Sequence, residues 1–386
     1  MRLLHVIASI RAAGGGPAEA VRSLSVVHQR HGHSVEVVSL DDPADPEVSS
    51  FPLHVHALGP ARNKYSYSPA FVPWLRQHRA HYDAVIINGL WQYHSFGTWR
   101  ALRGTTTPYY VFPHGMLDPW FKRTFPLKHV KKWLYWPWAD YRVLRDARAV
   151  LFTCEQEKLL APHSFALYRA HPVITGLGTT PPPAGVEAST FLDQNPNLRG
   201  KRLLLFMGRL HPKKGCDLLL DAYAATLASD PAWRLVLAGP DSFGWQQTLQ
   251  ARANTLGVAG RIVWTGMLRD SMKWSALAAA EVFVLPSHQE NFGIAVAESL
   301  ACGVPVLISR EVNIWREIEA ANAGLVAPDT LEGTISLLTR WQQVTEADRI
   351  AMRQNARQCF AQNFDIEHSA GRLLEALQET TADNTR

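Results

Sequence analysis

Short apolar runs alternate with helical periodicity from one end of this chain to the other, a pattern that folds as parallel sheet with helices on both faces. It occurs twice. Strands are expected at 3–8, 35–40, 53–57, 84–88, 109–112 and 149–152, with helices between them such as 17–30, which opens on Pro17 and closes near Gly32. The stretch 179–199, with TTPPPAG and NPN, has the proline and glycine content of a linker. A second series of strands is expected at 202–207, 235–238, 262–264, 282–285, 304–308 and 324–326. A chain of 386 residues suits two domains better than one core. The expected fold class is α/β, two Rossmann-like domains with parallel sheets facing a cleft. They span 1–182 and 183–363, with a last helix and tail over 364–386.

Apolar residues make up 47% and charged residues 19%, a globular composition. Cys154, Cys216, Cys302 and Cys359 are far apart and form no C-x-x-C pair, which argues against a disulfide framework and a zinc site and fits a reducing cytoplasm. No metal site is expected. The N-terminal MRLLHVIASI is too short an apolar run for a secretory leader and reads as a first strand, and no run reaches the ~20 apolar residues of a spanning helix. A net charge of +5 is modest, so local clustering of charge matters more than the total.

Ligands of such sheets bind beyond the carboxyl ends of the strands, which directs attention to the strand-to-helix loops. In MGRLHPKKGCDLLL (207–220), Gly208 ends a strand while Lys213 and Lys214 stand just before a helix start, where the dipole disfavours cations. An anion held by Arg209, Lys214 and the helix end removes the conflict; a solvated loop is the alternative. The G-x-x-x-x-G-K-[ST] order of a P-loop is absent. In RAAGGGPAEA (11–20), Gly14, Gly15 and Gly16 permit close approach of a phosphate or sugar, or simply a tight turn. Gly14-x-Gly16 is half a dinucleotide fingerprint, with Asp41 and Asp42 as ribose candidates, but Glu19 stands where the third glycine belongs. YYVFPHGMLDPW (109–120) sets His114 after a strand, and INGLWQYHS (87–95) offers Asn88, Trp91, Gln92 and His94, either an acceptor-side sugar platform or a packing surface.

Residues 287–307, SHQENFGIAVAESLACGVPVL, place Glu290 in a loop and Glu298 eight positions on, in an apolar helix expected over 295–302. The first turn at Phe292, Gly293 and Ile294 has unpaired N–H groups and suits an anion. The dipole alone accounts for a carboxylate at Glu290. Glu298, among Ala295, Val296, Leu300 and Ala301, needs donors, either a neighbouring cation or a ligand's hydroxyls.

The motif S-x-x-E-x-F-G with a second glutamate, here Ser287, Glu290, Phe292, Gly293 and Glu298, resembles that of the retaining glycosyltransferases of family GT4. The G-R-x-x-x-x-K-G element of Gly208, Arg209, Lys214 and Gly215, the N-terminal glycine loop and the His114–Gly115 pair also match, so the likeness covers nearly the whole chain. The resemblance implies a GT-B fold, with a nucleotide-sugar donor held by the C-terminal domain and a glycan or polyprenyl-linked acceptor facing the N-terminal one. It also implies a last helix, 365–378, that crosses back to the N-terminal domain. Arg209 and Lys214 would meet the charge on the leaving diphosphate in place of a metal, with no cofactor. Glu290 and His114 would face the sugar, and Glu298 the ribose hydroxyls. Gly15, Gly16, Gly208 and the N–H groups of Phe292, Gly293 and Ile294 would line the donor site. A nucleotide-cofactor oxidoreductase and a non-catalytic nucleotide-sugar binder remain as alternatives.

The segment 119–142 interleaves Lys122, Arg123, Lys128, Lys131, Lys132 and Arg142 with Trp120, Phe121, Phe125, Trp133, Tyr135, Trp136 and Trp138. This is the composition of an anchor on an anionic membrane surface, on the cytoplasmic side, which is the reading favoured; tryptophans packed into the first domain with a solvated lysine face are the alternative. No module for nucleic acid is recognised in it.

Overall fold

The computed structural model describes residues 1–11, 15–241 and 244–382. The chain divides into two units, one of residues up to Gly178 together with those from Ile366 on, the other Thr179–Asp365.

The first unit is built on a seven-stranded sheet in the order β3-β2-β1-β4-β5-β6-β7. Its strands are β1 (Arg2–Ile7), β2 (Ser34–Ser39), β3 (His54–Ala57), β4 (Ala84–Asn88), β5 (Tyr109–Phe112), β6 (Ala149–Phe152) and β7 (Pro172–Ile174), all parallel. Helices cover both faces, so β4, β5 and β6 are buried throughout and read as continuous apolar runs. β7 is not apparent in the sequence. It has three residues and opens on Pro172, which has no N–H to donate, and it lies at the sheet edge where that is tolerated. The helix Ile366–Ala382 belongs to this unit because Ile366, Ala370, Leu373 and Leu377 form one buried stripe. It packs on the helix Gly16–Arg30, where the His28 ring meets the Ala370 carbonyl at 3.0 Å and Arg30 pairs with Glu367 at 2.7 Å.

The second unit repeats the plan with six strands in the order β10-β9-β8-β11-β12-β13. They are β8 (Arg202–Met207), β9 (Trp233–Ala238), β10 (Ile262–Gly266), β11 (Val282–Leu285), β12 (Val306–Ser309) and β13 (Gly324–Ala327), again all parallel. The expected linker needs correction. Only its first half lacks regular structure; Ala188–Gln194 is a helix whose Phe191 is buried and donates its backbone N–H to Ser275 Oγ at 3.1 Å. A single apolar pair, Phe191–Leu192, in a seven-residue helix of otherwise small or polar residues hid it from a periodicity reading.

Candidate active site

Each sheet reverses its strand order beside its first strand, and the loops leaving the two strands at such a reversal diverge to open a crevice. In the second unit these are the loops after β8 and β11, which carry Gly208–Gly215 and Ser287–Gly293.

The two loops are fastened together. The Lys213 carbonyl accepts from Ser287 Oγ at 3.0 Å and from the His288 N–H at 2.8 Å. Gly215 has φ 67°, and a Cβ there would lie 2.2 Å from the Pro286 carbonyl oxygen, so glycine is required. The loop after β12 holds Glu290 from behind, its N–H donating to the Glu311 carbonyl (2.8 Å) and its carbonyl accepting from Asn313 N–H (2.9 Å). The Lys214 ammonium, half-buried, is thereby brought onto the Glu290 carboxylate as an ion pair. Burial, and then the Lys213 and Arg209 cations, push Lys214 down to about 7. Contact with Glu290 favours the charged form and opposes that shift. Arg209 is exposed and has no hydrogen bond or ion pair to a described residue.

Gly293 at φ 75° starts the helix Ile294–Ala301, and the N–H groups of Phe292, Gly293 and Ile294 have no acceptor among the described residues. The Phe292 side chain is buried against Phe364, edge to face at 5.7 Å, so only its backbone is offered to a ligand. Glu298 is buried, and Lys273, from the helix Asp270–Ala279 after β10, reaches it at 2.5 Å. The donor that Glu298 requires is therefore in part a cation of the chain itself. Lys273 escaped the sequence reading because nothing local to it marks an approach to a residue 25 positions on. Gly239, after β9, was missed as well. Its Cβ would fall 1.8 Å from the Gly208 carbonyl oxygen, so it keeps the Gly208 loop against the sheet.

In the first unit Gly15 (φ 77°) and Gly16 open the helix Gly16–Arg30 and, their own turn of chain aside, no atom of the described residues lies within 4 Å of where a Cβ of either would stand. Gly14 lies outside the described residues. Asp41 is not available to a ribose, since it is buried and accepts Ser9 Oγ at 2.6 Å and the Ile10 N–H at 2.8 Å, whereas the half-buried Asp42 spends one oxygen on the Ala44 N–H at 2.9 Å. The dinucleotide reading thus loses one of its two acidic partners.

His114 has φ 50°, stacks on Phe112 at 4.5 Å and meets Asn88 Oδ1 through Nε2 at 3.1 Å. The Asn88 amide nitrogen donates to the Ile86 carbonyl (3.1 Å), which leaves Oδ1 to accept and makes Nε2 of His114 the protonated nitrogen. Burial pushes His114 down to about 3, so the ring is neutral and Nδ1 is an acceptor. Three acceptor-side expectations are corrected. Asn88 is buried and fully engaged, His94 is buried with Nε2 on the Asn88 carbonyl at 2.9 Å, and Trp91 packs on Trp136 and Phe165 with its indole N–H on the Met116 carbonyl. They brace the loops from inside, because polar groups at the end of a central strand satisfy the backbone that the turn leaves unpaired.

The family model for glycosyl transferases group 1 matches residues 189–358, and that for the glycosyl transferase 4-like domain matches 15–173. The chain belongs to the group 1 glycosyltransferases. Among its relatives, the D-inositol 3-phosphate glycosyltransferase of Thermomonospora curvata is 33% identical over 200 residues, 46% of this chain and 44% of that one. The chain thus spans less than half the length of the first curated relatives it matches. The GDP-mannose:cellobiosyl-diphosphopolyprenol alpha-mannosyltransferase of Xanthomonas campestris is 24% identical, with 97% of this chain and 96% of that one aligned. The solved structure of Anabaena HepE in complex with UDP superposes with a TM-score of 0.80 at 18% identity, covering 98% of this chain and 100% of that one. The fold is GT-B.

Proposed function

We propose that this protein transfers a sugar from a nucleoside-diphosphate sugar to a glycan or lipid-linked acceptor, with retention of anomeric configuration. The observation that carries the reading is the anion site after β8 and β11: the uncompensated Arg209, the half-buried Lys214 on Glu290, and the open N–H groups before the helix Ile294–Ala301. As the glycosidic C–O bond breaks, negative charge grows on the diphosphate, and Arg209 and Lys214 meet it. Preorganised donors of this kind are each worth about 2.7–4 kcal/mol. Glu290 then faces the donor sugar and Glu298 the ribose. The leaving phosphate takes the acceptor's hydroxyl proton as the new C–O bond forms on the same face, so the reading includes neither an enzymic nucleophile nor a metal. The neutral His114 accepts a sugar hydroxyl at Nδ1.

The reading extends to polysaccharide assembly at the inner face of a membrane. It is supported by the exposed Leu127, Val130, Trp133, Leu134 and Trp138, beside Lys128 and Lys131. None of the described helices is long and apolar enough to cross a membrane, so the attachment proposed is peripheral.

Thermal unfolding against UDP, GDP, ADP and NAD tests the donor half. One nucleoside diphosphate at 100 times its Kd should stabilise by about 2.7 kcal/mol. A shift with NAD alone would sink the transferase reading.

A further inference from the structure

The turn that carries His114 is held from outside itself. The Met116 N–H donates to the Pro113 carbonyl at 3.1 Å, and the two residues between, His114 at φ 50° and Gly115 at φ 77°, are both left-handed. That is the sign pattern of a type I′ turn, which glycine adopts freely and histidine does not. A histidine kept there needs contacts that outweigh its own preference. In this conformation the ring lies on Phe112 at 4.5 Å with Nε2 on Asn88 Oδ1 at 3.1 Å.

The hydrogen bond that closes the turn leaves the Gly115 N–H unspent. It donates to Glu157 Oε1 at 2.6 Å, across 42 positions of chain, and both residues are buried. Glu157 stands in the first turn of the helix Glu155–Leu160, which follows β6 and has Cys154 as its N-cap. A glutamate at that place ordinarily reaches back to cap its own helix. Here only Oε2 serves the local chain, accepting the Thr153 N–H at 2.8 Å and the Thr153 hydroxyl at 2.6 Å, while Oε1 goes to the loop after β5. Three donors on two oxygens require the ionised carboxylate, since an amide has one acceptor oxygen and a protonated acid must donate. Capping alone would not need the second oxygen, because Cys154 Sγ accepts the Glu157 N–H at 3.4 Å as well. On the other side of the turn, Met116 ties it to the loop after β4. The Met116 sulfur accepts the Leu90 N–H at 3.1 Å and its carbonyl the Trp91 indole N–H at 3.3 Å. Glu157 supplies the matching tie from the β6 side.

We propose that Glu157 is a positioning residue: its ionised carboxylate, through the Gly115 N–H, fixes the left-handed turn that aims His114. This rests on the transferase reading only in giving the aimed ring a sugar hydroxyl to receive. Glu157 itself touches no substrate. The ring so held presents Nδ1 as an acceptor in one orientation, and a ring free to leave that orientation positions the sugar poorly.

The test is a double-mutant cycle on the full chain, Glu157→Gln against His114→Ala, read by kcat and by the proton–nitrogen side-chain spectrum of the histidines. Glu157→Gln should lower kcat by about 10–100-fold, as for a displaced contact group, and leave nucleoside diphosphate affinity unchanged. In the His114→Ala background it should lower kcat no further, because both changes remove one interaction. Glu157→Asp keeps the charge but withdraws it by one methylene, and should behave in the same way, so the cycle does not depend on the folding of one variant. Thr153→Val, which leaves the Gly115 contact in place, should lower the melting temperature and not kcat. In the spectrum, the His114 signal, identified by its loss in His114→Ala, should be that of the Nε2–H tautomer and should shift or broaden in Glu157→Gln. Equal proportional losses of kcat in both backgrounds would overturn the proposal by making Glu157 a purely structural residue. So would an unchanged kcat, or an unchanged His114 signal, in a folded Glu157→Gln. A wild type that transfers no sugar from any nucleotide-sugar, with its His114 signal still dependent on Glu157, would instead break the transferase reading and leave the positioning standing.

Discussion

Two regions of this molecule carry charge among apolar residues and resolve it in opposite ways. Around the loops after β8 and β11 the chain leaves the exposed Arg209 open and pairs its less exposed charges, Lys214 with Glu290 and Lys273 with Glu298. On the helix Pro126–Tyr135 it does not, and Lys132 lies on aromatic faces while leucines stand in solvent. A ligand entering the first region exchanges partners with groups already fixed in place, which suits charge development in a transition state. A ligand or membrane meeting the second region completes something the chain alone leaves unfinished. The difference separates a site built for chemistry from a site built for attachment.

Breaking the first region should have the largest effect. Arg209→Ala and Lys214→Ala are each expected to lower kcat by about 10²–10³-fold, with a smaller change in KM. Steady-state kinetics beside a melting temperature separates this from misfolding, since Lys214→Ala leaves Glu290 unpaired. Equal turnover in both variants would remove these cations from the chemistry. Glu298→Ala should act on binding, weakening the donor by about 10–100-fold, as expected for charged hydrogen bonds of ~1.5–3 kcal/mol, with kcat near normal at saturation. A variant that binds donor tightly and does not turn over would contradict that division of roles.

The second region is broken from outside. Leu127→Ser with Leu134→Ser should reduce sedimentation with anionic vesicles by about tenfold or more, given ~1.5–3 kcal/mol for each leucine buried, and leave nucleoside diphosphate affinity unchanged. Replacing Lys128 and Lys131 with glutamine should remove the salt dependence of that binding. Binding that ignores all four changes would return this face to ordinary surface.

The smallest effect expected is on pH. Lys214 must be protonated to receive a diphosphate; burial pushes it down to about 7 while the Glu290 carboxylate opposes that shift, so kcat/KM should fall as pH rises from about 7 upward. Bound diphosphate favours the protonated form, so the limb in kcat should lie at higher pH. His114, pushed down to about 3 by burial, stays neutral throughout and contributes no limb between pH 5 and 7. A limb there that vanishes in His114→Gln would show it to be charged.

Most of the fold was legible because parallel strands buried on both faces are continuous apolar runs; β4, β5, β6, β8 and β11 stand where the runs stand. β7 and the helix Ala188–Gln194 were not, since each is held by tertiary packing rather than by its own periodicity. Lys214 and Glu298 could be read as needing a partner because their residue types conflict with their local position, and the structure pairs them with Glu290 and Lys273. The identity of the partner could not be read. Lys273 and Gly239 enter through long-range approach, and Asn88 and His94 look like surface chemistry until their burial is seen, as does Trp91 until its packing on Trp136 and Phe165 is. The outward leucines of Pro126–Tyr135 are a further case. Periodicity shows that a helix has two faces, and only the fold shows which one meets the protein.

The central claim is that the loops after β8 and β11 hold the donor's diphosphate. Calorimetric titration of the selected nucleoside diphosphate into wild type, Arg209→Ala and Lys214→Ala tests it without requiring an acceptor. The account predicts saturable binding to wild type and affinities lower by about tenfold or more in each variant, as for loss of a charged hydrogen bond. Undiminished affinity in both variants, with their melting temperatures intact, would contradict it.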